Sequence, residues 1–418
     1  MTHRTSRSLG RWALSAAVAG VLSLGLGQPA AQADEVKLGF MLGFTGDYAP
    51  WSPALNNAAI VAIEEINANG GILGNEVSMI VSDNESKVEG GIAAARKLVN
   101  VDKVPVIIGP ESDIIVALQD MAKNNEIPVV TSSAGTDAID KTGGTGKFIW
   151  RVNASDSFLG VAAAKVLIDE LGHKEIAIMV ENLEGTQSAA ASLKRNFERF
   201  GGKVTKEIVL TPGQATYLSE LRDLADSDPK LVFLAAAQVT GVNVMKQAYQ
   251  RGYEWPWWVA QELQQQDFVN AAGVEVVKGV TSWTPGQMDD DPAWQRFSNI
   301  FKEKWGEAAQ SGFYQAETYD AFMVTALAMI KGGEATGAAV DANMAAVAAP
   351  PGERVTNFAD AVKLIKEGKE INYDGPSGTI DFNEWGNVGI PAVRLMQVDD
   401  SGQWITKQVI DARSFPAS

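Results

Sequence analysis

From Val36 onward, short apolar runs alternate with segments whose apolar residues recur every three or four positions. "VKLGFMLG" (residues 36–43) is apolar with little alternation, the pattern of a strand buried on both faces. In the following "SPALNNAAIVAIEEINANG", Leu55, Ala58, Ala59, Ala62, Ile63 and Ile66 fall on one stripe of a helix. Ser52 is expected to be its N-cap, with Pro53 in the first turn. At the other end Gly70 suits the left-handed residue that closes a helix, and Gly71 lets the chain reverse. "EVSMIVSD", "VPVIIGP" and "IPVVTSS" then read as strands, separated by the helices "EGGIAAARKLVN" and "DIIVALQDMAKNN".

A second series of the same kind begins after Trp150. Helices are expected at "FLGVAAAKVLIDELG", "GTQSAAASLKRNFERFG", "YLSELRDLADSD" and "GVNVMKQAYQRG", interleaved with the strands "EIAIMV", "KVTKEIVL", "LVFLAAA" and "WPWWVA". From Pro292 the helices lengthen, as in "AETYDAFMVTALAMIKG", and the chain ends strand-rich. Such alternation demands parallel strands joined by right-handed crossovers. The expected fold class is therefore α/β, with two similar lobes, parallel sheets and a cleft between the lobes. Ligands of such sheets gather beyond the carboxyl ends of the strands. That directs attention to the loops "GFTGDYAPW", "SDNES", "GPESD" and "TSSAGTD".

Composition narrows the picture. The first residues carry Arg4, Arg7 and Arg11, then the apolar "WALSAAVAGVLSLGLG", then small residues at "AQA". This is the layout of a cleavable export signal, with cleavage expected near Ala33 and a periplasmic destination. The whole chain has 35 basic and 51 acidic residues, net −16, and loss of the leader's arginines makes the remainder more acidic still. Such a protein is not expected to track nucleic acid or anionic lipid. With no cysteine, an exported chain must rely on its core rather than on disulfides. His173 is the one histidine outside the leader, in a helix-to-strand connection where an exposed loop residue is expected. Zinc sites and mechanisms built on two histidines are thereby closed off, and no metal or cofactor is expected.

Taken in order, "KLGFMLGFTGDYAPW", "INANGGILG", "VSDNES", "AARKLV", "VIIGPESD", "IPVVTSS", "AETYDA" and "GTIDFNEWGN" span essentially the whole exported chain. Together they resemble the branched-chain amino acid (leucine/isoleucine/valine-binding) type of periplasmic solute-binding protein that serves ABC importers. The resemblance implies two Rossmann-like lobes joined by a three-segment hinge, the type I periplasmic binding protein fold. One lobe would comprise residues 34–152 with 284–388, the other 153–283 with 389–418. It further implies a monomer that captures an amino acid, branched-chain or of another apolar or amide type, between its lobes and hands it to the membrane subunits of an ABC permease, without catalysis.

The resemblance also nominates site residues. A serine in the "GPESD" loop grips a ligand carboxylate in the family, which points to Ser112 or, with the loop one residue shorter, leaves Asp113 as the alternative. A hydroxyl and free N–H groups at a helix N-terminus suit that role, as they suit simple capping. In "TSSAGT", Ser133 corresponds to the position whose carbonyl meets the ligand amine, and Thr136, offset by one, to a hydroxyl on the carboxylate. Glu262, beyond a strand of the second lobe, stands where an acid pairs with the α-ammonium. Trp51 stands where an aromatic or apolar residue lines the side-chain pocket.

Two positions depart from the family. Glu184 replaces a tyrosine that commonly covers the ligand, and Gln238 occupies a place that is often aromatic. Both argue against a plain aliphatic solute. An acid at 184 suits an additional cation on the solute, and equally suits simply pointing to water; another small carboxylate or amide, such as an aromatic acid, stays open as the alternative solute. A sensing module that reports to a receptor is the alternative in another class.

Other motifs fail. "TGGTGKF" lacks the Ser or Thr after Lys147 that a phosphate loop needs. "MDDDPAW" reads as a helix start at Pro292 rather than a calcium loop. A hydrolase would need the G-x-S-x-G elbow, which is missing. The tryptophans of "EWPWW" are expected to pack against helices rather than to hold an aromatic ligand.

Overall fold

The computed structural model describes residues 35–310 and 312–416, so the expected export signal and its cleavage point lie outside the described residues. In the first lobe β1 (Val36–Leu42) leads through α1 (Ser52–Ala68) to β2 (Val77–Asp83) and through α2 (Val88–Asn100) to β3 (Ile107–Ile108). From there α3 (Ser112–Asn125), β4 (Val129–Thr131) and β5 (Ile149–Arg151) complete the series. The five strands form an all-parallel sheet in the order β2-β1-β3-β4-β5. β1 is buried at six of seven positions, as its unbroken apolar run requires.

The expected stripe of α1 faces the core, with Leu55, Ala58, Ala59, Ala62 and Ile66 buried and Ile63 half-buried. Its start differs from expectation. Trp51 precedes the helix in an already helical conformation, and the Ser52 hydroxyl donates to the Gly43 carbonyl (2.8 Å) instead of capping. Turns at residues 46–51 lead directly into the helix, so no side-chain cap is needed there. Its end follows the sequence. Gly70 and Gly71 have φ of +94° and +66°, and the Gly71 N–H returns to Ile66 O (3.0 Å).

The second lobe runs through α4 (Asp156–Lys165), β6 (Glu175–Glu181), α5 (Glu184–Arg199), β7 (Lys203–Leu210), α6 (Leu218–Ala225), β8 (Val232–Ala235) and α7 (Gln238–Gln250). It continues with β9 (Trp257–Val259), α8 (Gln266–Ala272), α9 (Val274–Val277) and β10 (Thr281–Gly286). The chain then recrosses to α10 (Pro292–Trp305), α11 (Gln315–Gly332), α12 (Gly337–Val347), β11 (Glu353–Val355), α13 (Phe358–Lys366), β12 (Ile371–Gly375) and β13 (Gly378–Thr379). It returns as β14 (Ala392–Val398) and β15 (Trp404–Asp411). The second sheet has the order β15-β14-β10-β9-β8-β6-β7, with β14 and β15 antiparallel at one edge.

α11 is buried on all sides, packing with α1 and Phe40 in the core of the first lobe. As "MDDDPAW" suggested, Asp291 caps α10, accepting from the N–H groups of Ala293 (2.9 Å) and Trp294 (3.0 Å). The chain passes between the lobes after β5, after β10 and before β14. These passages are tied to one another: Ala154 bridges to Val388, and Arg394 donates to Gln287 O (2.7 Å). β10 belongs to the second sheet through Gly286. The protein is thus an α/β molecule of two lobes with parallel sheets and a three-segment hinge.

Candidate functional site

The carboxyl ends of both sheets face a small cavity. Its empty volume is about 570 Å³. That lies within the range of small-molecule pockets.

Glu111 builds one wall. Its Oε1 accepts the Gly43 N–H (2.6 Å) and its Oε2 accepts from Asn84 Nδ2 (2.6 Å). One buried carboxylate thus fastens the loops after β1 and β2 to the loop after β3. Burial raises its pKa to about 7, against the opposing effect of those two donors.

Ser112 opens α3 and lines the cavity, with its Oγ 3.4 Å from the Thr136 N–H. Across from it lies Gly185 in the first turn of α5, close enough that an added Cβ would sit 3.4 Å from Ser112 Oγ. Two helix N-termini therefore converge from opposite lobes, a setting that favours an anion. Asp113 takes a different role: its Oδ1 accepts the Glu184 N–H (3.1 Å) and its Oδ2 the Tyr48 hydroxyl (3.1 Å).

Two further acids line the cavity. Glu262 lies on a short 3-10 turn, Gln261–Leu263, after β9, and burial raises its pKa to about 6. Asp156, the first residue of α4, is raised to about 7, mainly by burial. The Ser188 hydroxyl and the Arg151 charge oppose the rise, and the Glu262 charge adds to it. The Asp156 N–H donates to Gly135 O (2.7 Å), while its Oδ2 has no hydrogen-bond partner among the described residues. Gly135 has no room for a side chain, because a Cβ there would run into the Asp156 carboxyl group.

Arg151, fully buried, holds this loop from behind. Its Nη1 donates to Gly135 O (3.0 Å) and Thr136 O (2.8 Å), its Nε to Asn387 Oδ1 (3.0 Å), and its Nη2 pairs with Asp140. Among the described residues no Lys, Arg or His lines the cavity.

Trp51 forms the aromatic wall, between Tyr314 (centroids 5.4 Å, 29°) and Phe313 (5.8 Å, 34°). Tyr314 lines the cavity from the segment that precedes α11, with φ +55°. With the Gln265 amide oriented to donate to Pro50 O (3.2 Å), its oxygen accepts the Trp51 indole N–H at 2.5 Å. That contact spans the lobes.

Of the seven nominated residues, Trp51, Ser112, Ser133 and Glu262 line the cavity. Thr136 and Glu184 do not. They bond each other instead, Thr136 Oγ1 donating to Glu184 Oε1 at 2.7 Å across the two lobes. Beside them the Asp137 N–H donates to Ser188 Oγ (2.9 Å). Gln238 opens α7 outside the cavity, half-buried, with its Oε1 unpartnered among the described residues.

Sequence reading overlooked Glu111, Asp156, Tyr48 and Tyr314. The acid of the "GPESD" loop was a visible signal; the acid opening α4 looked like an ordinary helix-start residue, and the two tyrosines carried no signal. Trp258 is buried and stacks on Trp283 (5.3 Å, 12°) in the core. His173 is half-buried rather than exposed, and burial lowers its pKa.

Among the described residues no helix is long and apolar enough to cross a membrane. A family model for periplasmic binding proteins matches residues 35–403. A leucine-, isoleucine-, valine-, threonine- and alanine-binding protein of Pseudomonas aeruginosa is 23% identical over 384 residues, covering 92% of this chain and 94% of its own. A leucine-binding protein of Thermotoga maritima superposes with a TM-score of 0.76 at 21% identity, over 90% of this chain and 99% of that one. A solute-binding protein of an ABC transporter from R. palustris, in complex with benzoate, superposes with a TM-score of 0.74 at 19% identity, over 92% and 98%. Two Rossmann-like lobes closing on a small cavity, together with a family match over nearly all of the described chain, lead to one conclusion: this chain belongs to the periplasmic binding protein family.

Proposed function

We propose that this protein is the periplasmic solute receptor of an ABC importer, that it captures a small amino acid between its lobes, and that it delivers the solute to the permease as a monomer. The observation that carries the reading is the polarity of the cavity. Converging helix N-termini with Ser112 suit a carboxylate, and the Glu262 carboxylate in the same enclosed space suits an ammonium. Ser133 would add polar contacts, and the Trp51 wall would take the apolar part of the solute. Thr136 and Glu184 act as part of the closure between lobes, and Gln238 stays outside the contact set. Binding closes the lobes only by what the solute gains in the closed state over the open one. The relatives named for branched-chain amino acids support the amino-acid class.

An aromatic carboxylate such as benzoate is the second reading. The Trp51–Tyr314 stack favours it, and the acids of the cavity count against it. Thermal-shift and calorimetric titration of the purified protein with amino acids, their amides and benzoate separates the two, since a ligand of the folded state raises the midpoint. Ser112→Ala and Glu262→Ala should each weaken amino-acid binding while the protein stays folded. Unchanged affinity in both variants would remove these residues from the site.

A further inference from the structure

Trp51 belongs to two cavities at once. It lines the cavity between the lobes, and together with Leu55 it also lines a second cavity of about 770 Å³ beside it. Its two ring neighbours divide in the same way, Tyr314 lining the first cavity and Phe313 the second. The indole therefore stands as a partition between the two spaces. Three contacts hold it there: the rings of Tyr314 (5.4 Å) and Phe313 (5.8 Å), and the Gln265 oxygen that accepts its N–H (2.5 Å). Gln265 itself lines the second cavity and not the first.

The second cavity differs in character. Besides Gln265 it carries Gln266, Gln310 and Gln315, whose amides offer both donors and acceptors, and the acids Asp267 and Glu307. Nor is it a dead end, since Gln266, Gln310 and Phe313 go on to line a third cavity that reaches Trp294 and Trp404. A side chain that ran past the indole would meet space and polar groups. To pass, it would have to break the Gln265 bond and both ring contacts. What limits the solute on this side is one ring.

We propose that Trp51 sets the length of the solute: the receptor takes amino acids whose side chains end at the indole, excludes longer ones, and opens to a long, amide-ended side chain once the ring is removed. The inference rests on the amino-acid reading given above and adds a size limit to it.

The test is calorimetric titration of the purified protein and of Trp51→Ala. L-norvaline and L-leucine serve as short probes, Nε-acetyl-L-lysine as the long one, and benzoate as a further probe. The unmodified protein should bind the short probes at least tenfold more tightly than the long one. Trp51→Ala should weaken the short probes and tighten Nε-acetyl-L-lysine, so that the ratio between them falls at least tenfold. A ring with a packing role alone would weaken all of them alike. If Trp51→Ala does not fold, Gln265→Leu carries the same test: with the indole untied, the ratio should fall at least threefold. Nε-acetyl-L-lysine bound by the unmodified protein as tightly as L-norvaline, or an unchanged ratio in the folded variant, would overturn the inference while leaving the amino-acid receptor intact. Binding of benzoate with no amino acid bound would overturn both.

Discussion

Asp113 accepts the backbone N–H of Glu184 at 3.1 Å, so a side chain in the first turn of α3 caps the first turn of α5 in the opposite lobe. The same carboxylate takes the Tyr48 hydroxyl. Closure of the cleft is therefore written into a helix cap shared between lobes. A hydrogen bond to a charged acceptor contributes roughly 1.5–3 kcal/mol. Asp113→Ala should accordingly raise the solute dissociation constant by about tenfold, mainly through faster release. Its melting temperature without solute should change little. Stopped-flow release rates equal to those of the unmodified protein would show that the contact does not hold the cleft shut.

The loop behind the cavity depends on Arg151. Replacing it with Met would leave Asp140 without its cation and the carbonyls of Gly135 and Thr136 without their donor. Removing one partner of a buried pair costs about 3–5 kcal/mol. Asp140 is partly exposed, so the lower end of that range applies. Denaturant unfolding should show a clear loss of stability, and a variant as stable as the parent would argue that the network is dispensable.

Gly135→Ala probes the close approach to Asp156. The added Cβ must displace the carboxyl group. Overpacking of this kind costs about 1–3 kcal/mol, and the displaced acid no longer faces the cavity as before. Solute affinity should fall more than tenfold. Crystals of the variant with Asp156 unmoved would contradict the argument.

The buried acids set a pH dependence. Glu111 and Asp156 are raised to about 7 and Glu262 to about 6, all chiefly by burial, while unfolded carboxylates titrate near ~4. Between those values the folded protein holds more protons than the unfolded chain. Stability therefore falls as pH rises from about 4 to about 7, the reverse of an acid held in a salt bridge. The melting temperature without solute should be lower at pH 8 than at pH 5.5. Saturation with an amino-acid solute should flatten the slope, because its ammonium favours the ionised acids. A melting temperature that stays level or climbs over that range would refute the assignment.

Trp51 binds the two lobes through Gln265 and stacks on Tyr314. Trp51→Phe keeps a ring against Tyr314 and loses the indole donor. It should weaken binding by about three- to tenfold, in line with one hydrogen bond of roughly 1 kcal/mol. Titration calorimetry at constant pH reads this directly.

Much of the fold was legible along the chain. The unbroken apolar run of β1, the stripe of α1 and the paired glycines at its end are local patterns, and local patterns decide strands, helices and their stops. The cavity was legible only in part. Ser112, Ser133 and Glu262 sit just beyond strands, and Trp51 ends the loop that follows one, where any sheet of this kind places its ligand contacts. Asp156 could not be singled out, because an acid in the first turn of a helix is an ordinary capping residue. Tyr314 comes from a late passage of the chain, far in sequence from the Trp51 it stacks on. Thr136 and Glu184 were each readable as polar loop residues, yet their bond to each other exists only once the lobes meet.

The sequence by itself determined two α/β lobes, the order of their elements and the loops that could touch a solute. It did so because hydrophobic periodicity and backbone punctuation act over a few residues. Only the tertiary structure decided which carboxylates are occupied and which is left open. Hydrogen bonding between distant segments takes up both oxygens of Glu111, commits Arg151 to the loop behind the cavity and leaves Asp156 Oδ2 without a hydrogen-bond partner among the described residues.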